Sequence, residues 1–247
     1  MIIRHYEVFK SELGSQELNQ ENWDVLRTES KESAYAIEDN VEQYEKNCLS
    51  CVSYEVAAGR ILDVLKEHHC GHVVSMGIGK GILEWHLKRQ MPELIVEGTD
   101  FAVRAVEKLK KVFPACDALH CFDMLRGDYR MFPPDAFFIF YRVSEEFCYE
   151  DWRHIFTAMR SQRVLNIVYI PDMLATRQLA ERLERSRAHN QKQGRKETFC
   201  GWIYSEDTLE ELFCAGGYQI IRRSEAGTPE LMMYVLKAVD DRKGSES

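Results

Sequence analysis

The segment Val73-Val74-Ser75-Met76-Gly77-Ile78-Gly79-Lys80-Gly81-Ile82-Leu83-Glu84 constrains the fold of this chain more than any other stretch. A short apolar run reads as a buried strand, three alternate glycines end it, and an amphipathic helix through Leu83 and Leu87 begins at once. Glycines let the backbone turn sharply at such a junction and let a ligand approach main-chain atoms without side-chain interference. A chain built on this junction is expected to continue as βαβ units, with a parallel sheet covered on both faces.

The downstream sequence fits that expectation. His72 to Met76 is the first strand, and Leu94-Ile95-Val96, running on to Asp100, is the second. A helix with Ala102, Val103, Val106, Leu109 and Val112 on one side follows. Ala118 to Phe122 is a third strand, and Ala136 to Tyr141 a fourth after the break at Pro133-Pro134. Trp152, Ile155, Phe156 and Met159 mark a helix by their spacing, and Val164 to Ile170 is a fifth strand ended by Pro171. A long polar helix is expected from Met173 to His189, and a short one, capped by Ser205 or Asp207, through Leu209, Leu212 and Phe213. Gly216-Gly217 stops it. Tyr218 to Arg222 and Leu231 to Leu236, separated by Gly227-Thr228-Pro229, have no long helix between them and read as antiparallel neighbours. The expected fold class is α/β: a three-layer α/β/α sandwich around a seven-stranded, mostly parallel sheet with an antiparallel last strand.

Residues 1–60 differ in character. They carry twelve acidic and six basic side chains, no proline and no strand-like alternation. One or two helices are expected between Gln20 and Tyr44, with Trp23, Tyr35 and Tyr44 along them, and a clearer one from Tyr54 to Glu67. The organisation expected is a helical N-terminal extension over 1–54 acting as a lid, one sheet domain over 55–240, and a polar tail at 241–247.

Asp100 lies nineteen residues past Gly81, at the end of the second strand, where acids in doubly wound sheets accept hydrogen bonds from ribose hydroxyls. Nicotinamide binding favours a third glycine three residues after the second, and a pyrophosphate at the helix N-terminus. Here the third glycine comes sooner and Glu84 follows, so a carboxylate stands where it repels pyrophosphate and suits a cationic ligand.

On these residues the chain resembles the class I S-adenosylmethionine-dependent methyltransferases over about residues 55–238. The likeness rests on Gly77-x-Gly79-x-Gly81, on Gly98-Thr99-Asp100-Phe101 and on Phe122-Asp123-Met124. The Gly217-Tyr218 turn into the closing strand pair fits as well. The resemblance implies S-adenosylmethionine as cofactor. The glycine loop, with Ser75 and Ile78, would then pass beneath its methionine and ribose portions. Asp100 would hold the ribose, Phe101 would flank the adenine, Asp123 beside Met124 would accept from its amino group, and Tyr141 would complete the set. In one respect the chain departs from the family: Ser75 stands where an Asp or Glu is usual, and Glu84 or an N-terminal tyrosine is expected to replace the missing carboxylate.

Methyl transfer from a sulfonium is an in-line displacement in which positioning supplies much of the catalysis, with a base needed only for a tightly held proton. Tyr141 and Glu145 are the candidate catalytic groups. Tyr35, Tyr44, Arg142, Tyr169 and Asp172 are the candidate acceptor contacts. Tyr141-Arg142-Val143-Ser144 after the fourth strand is not the Asp/Asn-Pro-Pro-aromatic motif of enzymes acting on exocyclic or amide nitrogens. Glu145-Glu146 reads as a plain helix N-terminus.

Composition narrows the alternatives. The chain has 247 residues and a formal charge of −8, which disfavours a phosphate backbone as partner. Seven basic residues between Arg177 and Lys196 read as a solvated helix face. No run approaches a membrane span, no signal peptide is evident, and eight scattered cysteines suit a cytoplasmic protein with reduced thiols. Cys48 and Cys51 form one CxxC without a second pair, and His68, His69 and His72 lie at the amino edge of the expected sheet, opposite the expected site, so no metal is expected. The expected function is methyl transfer to a small-molecule acceptor by a monomer or homodimer. The alternatives are a noncatalytic cofactor-binding or protein-interaction module, a protein or RNA methyltransferase, and transfer of another part of the same cofactor.

Overall fold

Nine strands and eight α-helices form among the residues described in the computed structural model, 1–8, 19–29, 34–227 and 231–239. In chain order they are β1 (Ile2–Glu7), α1 (Gln20–Thr28), α2 (Val41–Ser50), α3 (Val52–Glu67), β2 (His72–Met76), α4 (Ile82–Gln90), β3 (Ile95–Asp100), α5 (Val103–Val112) and β4 (Ala118–Cys121). There follow β5 (Phe137–Tyr141), α6 (Tyr149–Ser161), β6 (Asn166–Ile170), α7 (Arg177–Lys192), β7 (Thr198–Tyr204), α8 (Glu206–Ala215), β8 (Tyr218–Glu225) and β9 (Met232–Ala238). Two short 3-10 turns, Tyr129–Met131 and Ser144–Glu146, flank β5.

The main sheet has seven strands in the order β4-β3-β2-β5-β6-β9-β8. The first five are mutually parallel, and β9 runs antiparallel to both β6 and β8. This is the expected α/β sandwich. Because strand side chains alternate between faces, each apolar run feeds two cores. Val74, Met76, Phe138, Phe140 and Tyr169 join Trp152, Phe156, Leu209 and Phe213 beneath α6 and α8. Val73, Val96, Phe137, Ile139 and Val168 pack with Ile61, Leu65, Leu83 and Leu87 of α3 and α4 on the other face. A third cluster joins α1, α2 and α5 through Leu26, Tyr44, Ile78 and Leu109. The order reverses between β2 and β5, so a crevice opens at their carboxyl ends.

Two features differ from the sequence reading. Residues 2–7 form a strand, not part of an all-helical extension: β1 pairs antiparallel with β7 as a separate two-stranded ribbon. Neither strand alternates cleanly, and each is held by a partner some two hundred residues away, so no local period announces them. Second, the polar helix begins at Arg177 instead of Met173. Thr176 caps it by accepting from Leu179 N at 3.1 Å, while Ala175 N bonds Tyr204 O at 2.8 Å and keeps the preceding residues extended. Of the one or two helices expected between Gln20 and Tyr44, two form, α1 and α2, the second running on to Ser50. The tail at 241–247 and the Thr228-Pro229 turn lie outside the described residues.

The ribbon is tied to the sheet at one close approach. Gly201 of β7 has φ of 148°, and a Cβ there would lie 1.8 Å from the Glu145 carbonyl oxygen. Only glycine fits. Gly201→Ala is expected to lower stability by about 2 kcal/mol or more. Thermal unfolding checks this, and an unchanged midpoint would show that the ribbon does not pack on the Ser144–Glu146 turn.

Candidate functional site

The glycine loop is built by backbone geometry. Gly77, Gly79 and Gly81 all adopt left-handed conformations, with φ of 71°, 59° and 70°. Ile78 N donates to Thr99 O at 2.7 Å, which pins the loop to the end of β3. Gly79 N donates to Asp100 Oδ2 at 3.1 Å, and Ala102 N donates to Oδ1 at 3.0 Å. Asp100 is therefore buried below the loop, where the sequence places it. Its Oδ2 also accepts from the Arg27 guanidinium of α1 at 2.6 Å, and Arg27 lies under the Trp23 ring at 4.6 Å.

Ser75 and Glu84 meet at the other end of the loop. Ser75 Oγ lies 2.5 Å from Glu84 Oε1 and donates to it. Glu84 occupies the first turn of α4, is buried, and has no ion-pairing cation among the described residues. Burial pushes its pKa up to about 7, against the pull of the Ser75 hydrogen bond.

The chain after β5 supplies a second group. Arg142 takes a left-handed backbone (φ 59°) and aims its guanidinium at Asp172 and at the Tyr54 hydroxyl, 3.2 Å away. Glu145 Oε2 meets His5 Nδ1 of β1 at 2.6 Å. Burial lowers the His5 pKa, but the Glu145 hydrogen bond and nearby carboxylates outweigh it and leave the value raised. Burial likewise raises the Glu145 pKa. Glu146 Oε2 accepts from Trp23 Nε1 at 3.2 Å. Its side chain opens toward the cavity, but surrounding protein pushes its pKa up to about 7, against Arg27 and the Trp23 bond. Burial holds the Tyr141 phenol well above its ordinary range, so it is a neutral hydrogen-bonding group and not a ready base.

These groups surround a cavity of about 450 Å³ over the carboxyl ends of β2, β5 and β6, partly roofed by α1, α2 and the ribbon. Its volume suits a small organic ligand. Among the sequence candidates, Ser75, Gly77, Ile78, Gly79, Gly81, Glu84, Tyr35, Tyr141, Arg142, Glu145 and Asp172 line it. Three buried polar atoms on its wall have no partner among the described residues: Asn47 Nδ2, Tyr141 Oη and Glu145 Oε1. A ligand can satisfy them.

Other candidates do not reach it. Tyr44 is fully buried and donates to Lys80 O at 2.9 Å, so it braces the glycine loop from behind instead of contacting an acceptor. Tyr169 is enclosed by Trp152, Phe140, Phe156 and Phe213 in the core under α6 and α8, because its position in β6 points to that face. Met124 is in the same core. Phe101 packs against the α1–α5 cluster, and Asp123 accepts from Leu125 N at 2.9 Å at the surface. Reasoning from sequence missed His5, Glu7, Trp23, Arg27, Asn47, Glu146 and Cys200, all of which line the cavity. Only Glu146 carried a local signal, as the second of paired glutamates after β5, and it lies in a 3-10 turn and not at a helix N-terminus. Among the described residues no cluster has the makings of a metal site, and Cys48 and Cys51 are free thiols.

No protein-family profile matches the sequence, and no curated protein matches it. Solved structures do match the fold. Magnesium protoporphyrin IX methyltransferase from Synechocystis PCC 6803, with bound SAM, aligns with a TM-score of 0.56 at 12% identity, over 90% of this chain and 98% of that one. Mitomycin 7-O-methyltransferase aligns at 0.54 and 16% identity, over 76% of this chain and 54% of its own. Human N-acetylserotonin methyltransferase, in complex with SAM, aligns at 0.52 and 13%, over 69% and 48%. This chain thus spans about half the length of the last two. At these identities the likeness is one of fold: the chain has the Rossmann-like fold of class I S-adenosylmethionine-dependent methyltransferases.

Glu84 makes the site's electrostatics testable without a ligand. Its pKa rises from 4.5 to about 7 in the fold, so the folded state holds its proton more tightly than the unfolded chain. The contribution to stability is complete below the unfolded value and is lost as pH rises through about 7. Glu84→Gln is therefore expected to stabilise the protein at about pH 8 by up to about 3 kcal/mol, with the gain shrinking toward about pH 5. Denaturant titrations of both proteins across this range measure it; a gain independent of pH would contradict a buried, titrating carboxyl.

Proposed function

We propose that this chain is an enzyme that binds S-adenosylmethionine in the cavity and transfers its methyl group to a small-molecule acceptor. The observation that carries this reading is Glu84, a buried carboxyl beside the glycine loop that lacks a cationic partner among the described residues. Ser75 stands where the resembled family carries an acid, and its hydrogen bond to Glu84 presents a carboxylate near that place from the next helix. The residues fit the cofactor. Ser75 and Glu84 would hold its ammonium, the Gly77–Gly81 backbone would run beneath it, and Asp100 would hold its ribose hydroxyls. Phe101 and Asp123 would serve the adenine.

When bound, the cofactor supplies an electrophilic methyl group on a sulfonium, and an acceptor lone pair displaces it in line. The acceptor would lie between the ends of β5 and β6. There Tyr141 Oη orients it, Arg142 and Asp172 bound it, and Glu145 with His5 takes its proton. Tyr35 closes the far side. A small molecule is the acceptor class we favour, since two aligned structures are methyltransferases of small molecules by name and the cavity is of modest volume. The charge of −8 tells against nucleic acid, and no helix among the described residues is long and apolar enough to cross a membrane. Residues 1–54, with the ribbon, would act as the lid of a domain that runs from 55 to 240, in a cytoplasmic monomer or homodimer.

A second reading, a noncatalytic cofactor-binding module, is favoured by one contact: Arg27 already occupies Asp100. Turnover separates the two.

Calorimetry with S-adenosylmethionine tests the site. Affinity is expected to rise as pH is raised through about 7, because Glu84 must lose its proton to receive a cation. Glu84→Gln is expected to weaken binding at least ~10-fold and to remove that pH dependence. Equal binding by both proteins would refute the assignment of Glu84.

A further inference from the structure

The open cavity covers only part of the site proposed above. Ser75, the glycine loop, Glu84 and the β5–β6 groups line it, while Phe101 and Asp123 do not. Asp100 and Phe101, two of the residues at the nucleoside end, are instead contacted by α1. Its Arg27 bonds Asp100 at 2.6 Å, its Gln20 Nε2 donates to Phe101 O at 2.7 Å, and its Asp24 Oδ1 accepts from Ala105 N at 3.0 Å. The last contact caps α5, whose own cap residue, Ala102, has no side chain able to do so. Glu29 at the end of α1 pairs with Arg104. Within reach of the cavity, Trp23 of the same helix covers Arg27 and donates to Glu146.

We infer that α1 is a self-occupying strap: Arg27 holds the carboxylate of Asp100, and a nucleoside-bearing ligand must displace α1 to bind. The inference rests on the cofactor reading above. Asp100 is buried, and its oxygens already serve Gly79 N, Ala102 N and Arg27. The two amides belong to the glycine loop and to the turn from β3 into α5, and can stay. The guanidinium comes from a separate element and is the one partner that ribose hydroxyls can replace. Displacement then uncouples Trp23 from Glu146, so filling the nucleoside end also alters the wall of the acceptor end. A ligand lacking the nucleoside leaves α1 in place.

Two variants and one ligand test the strap. S-adenosylhomocysteine is titrated calorimetrically into wild type, Arg27→Met and Asp24→Ala. Each substitution removes a tether without touching Asp100 itself. If α1 is docked most of the time, the apparent affinity of wild type is reduced by the fraction open, and both variants are expected to bind about tenfold tighter. Hydrogen exchange of residues 20–28 in wild type is expected to speed up when the ligand is added. Unchanged or weaker binding by Arg27→Met, or slower exchange in α1, would overturn the strap and make α1 a cover that closes on the ligand. Absence of binding by all three proteins would overturn the cofactor reading, and the strap with it.

Discussion

The left-handed backbone at Gly77, Gly79 and Gly81 is the constraint on which the rest of the site depends. It turns the chain from β2 into α4 within a few residues. That short turn brings Glu84 back beside Ser75 on one side and sets Gly79 N against Asp100 on the other. A side chain at Gly77 would strike Val143, and one at Gly81 would crowd the Tyr44 hydroxyl. The same loop is therefore packed from the β5 side and from the N-terminal helices. Its shape links the sheet's switch point to the elements that roof it.

Charge is the second organising feature. Five carboxyl groups gather at one cavity, Glu84, Glu145, Glu146 and Asp172 on its wall and Asp100 beneath the glycine loop, and the fold answers each differently. Asp100 and Asp172 are met by arginines, Glu145 by a histidine, Glu146 by an indole N–H, and Glu84 by a serine hydroxyl alone. Burial makes the proton more tightly held at Glu84, Glu145 and Glu146, and none of their partners fully offsets it. Such a cavity is suited to a cationic ligand, which supplies the charge that the fold withholds. The Arg27–Asp100 contact is the exception, since there the chain has already supplied the cation itself.

How much of this was legible depended on whether the signal was local. The seven strands of the main sheet, their order of appearance and the antiparallel close follow from short apolar runs and their spacing. The glycine loop and the proximity of Glu84 to Ser75 follow from a strand-turn-helix junction confined to a dozen residues, and Asp100 from its place at the end of the next strand. The β1–β7 ribbon was not legible, because its pairing joins distant segments and neither strand alternates. With the ribbon went His5 and Cys200, and with the position of α1 went Trp23 and Arg27. Tyr169 illustrates a different failure: it belongs to a strand next to the cavity, but the pleat turns it into the opposite core. Tyr44 sits beneath the loop, a placement that depends on how α2 packs against α4 and α5.

The central claim is that the cavity receives the cofactor with its ammonium group at Ser75 and Glu84. A crystal structure with S-adenosylhomocysteine bound tests it most directly. The expected result places the ligand's amino group within hydrogen-bond distance of Glu84, about 3 Å, with the Gly77–Gly81 backbone beneath it. A ligand bound elsewhere, or one bound in the cavity with Glu84 untouched and still bonded only to Ser75, would contradict it.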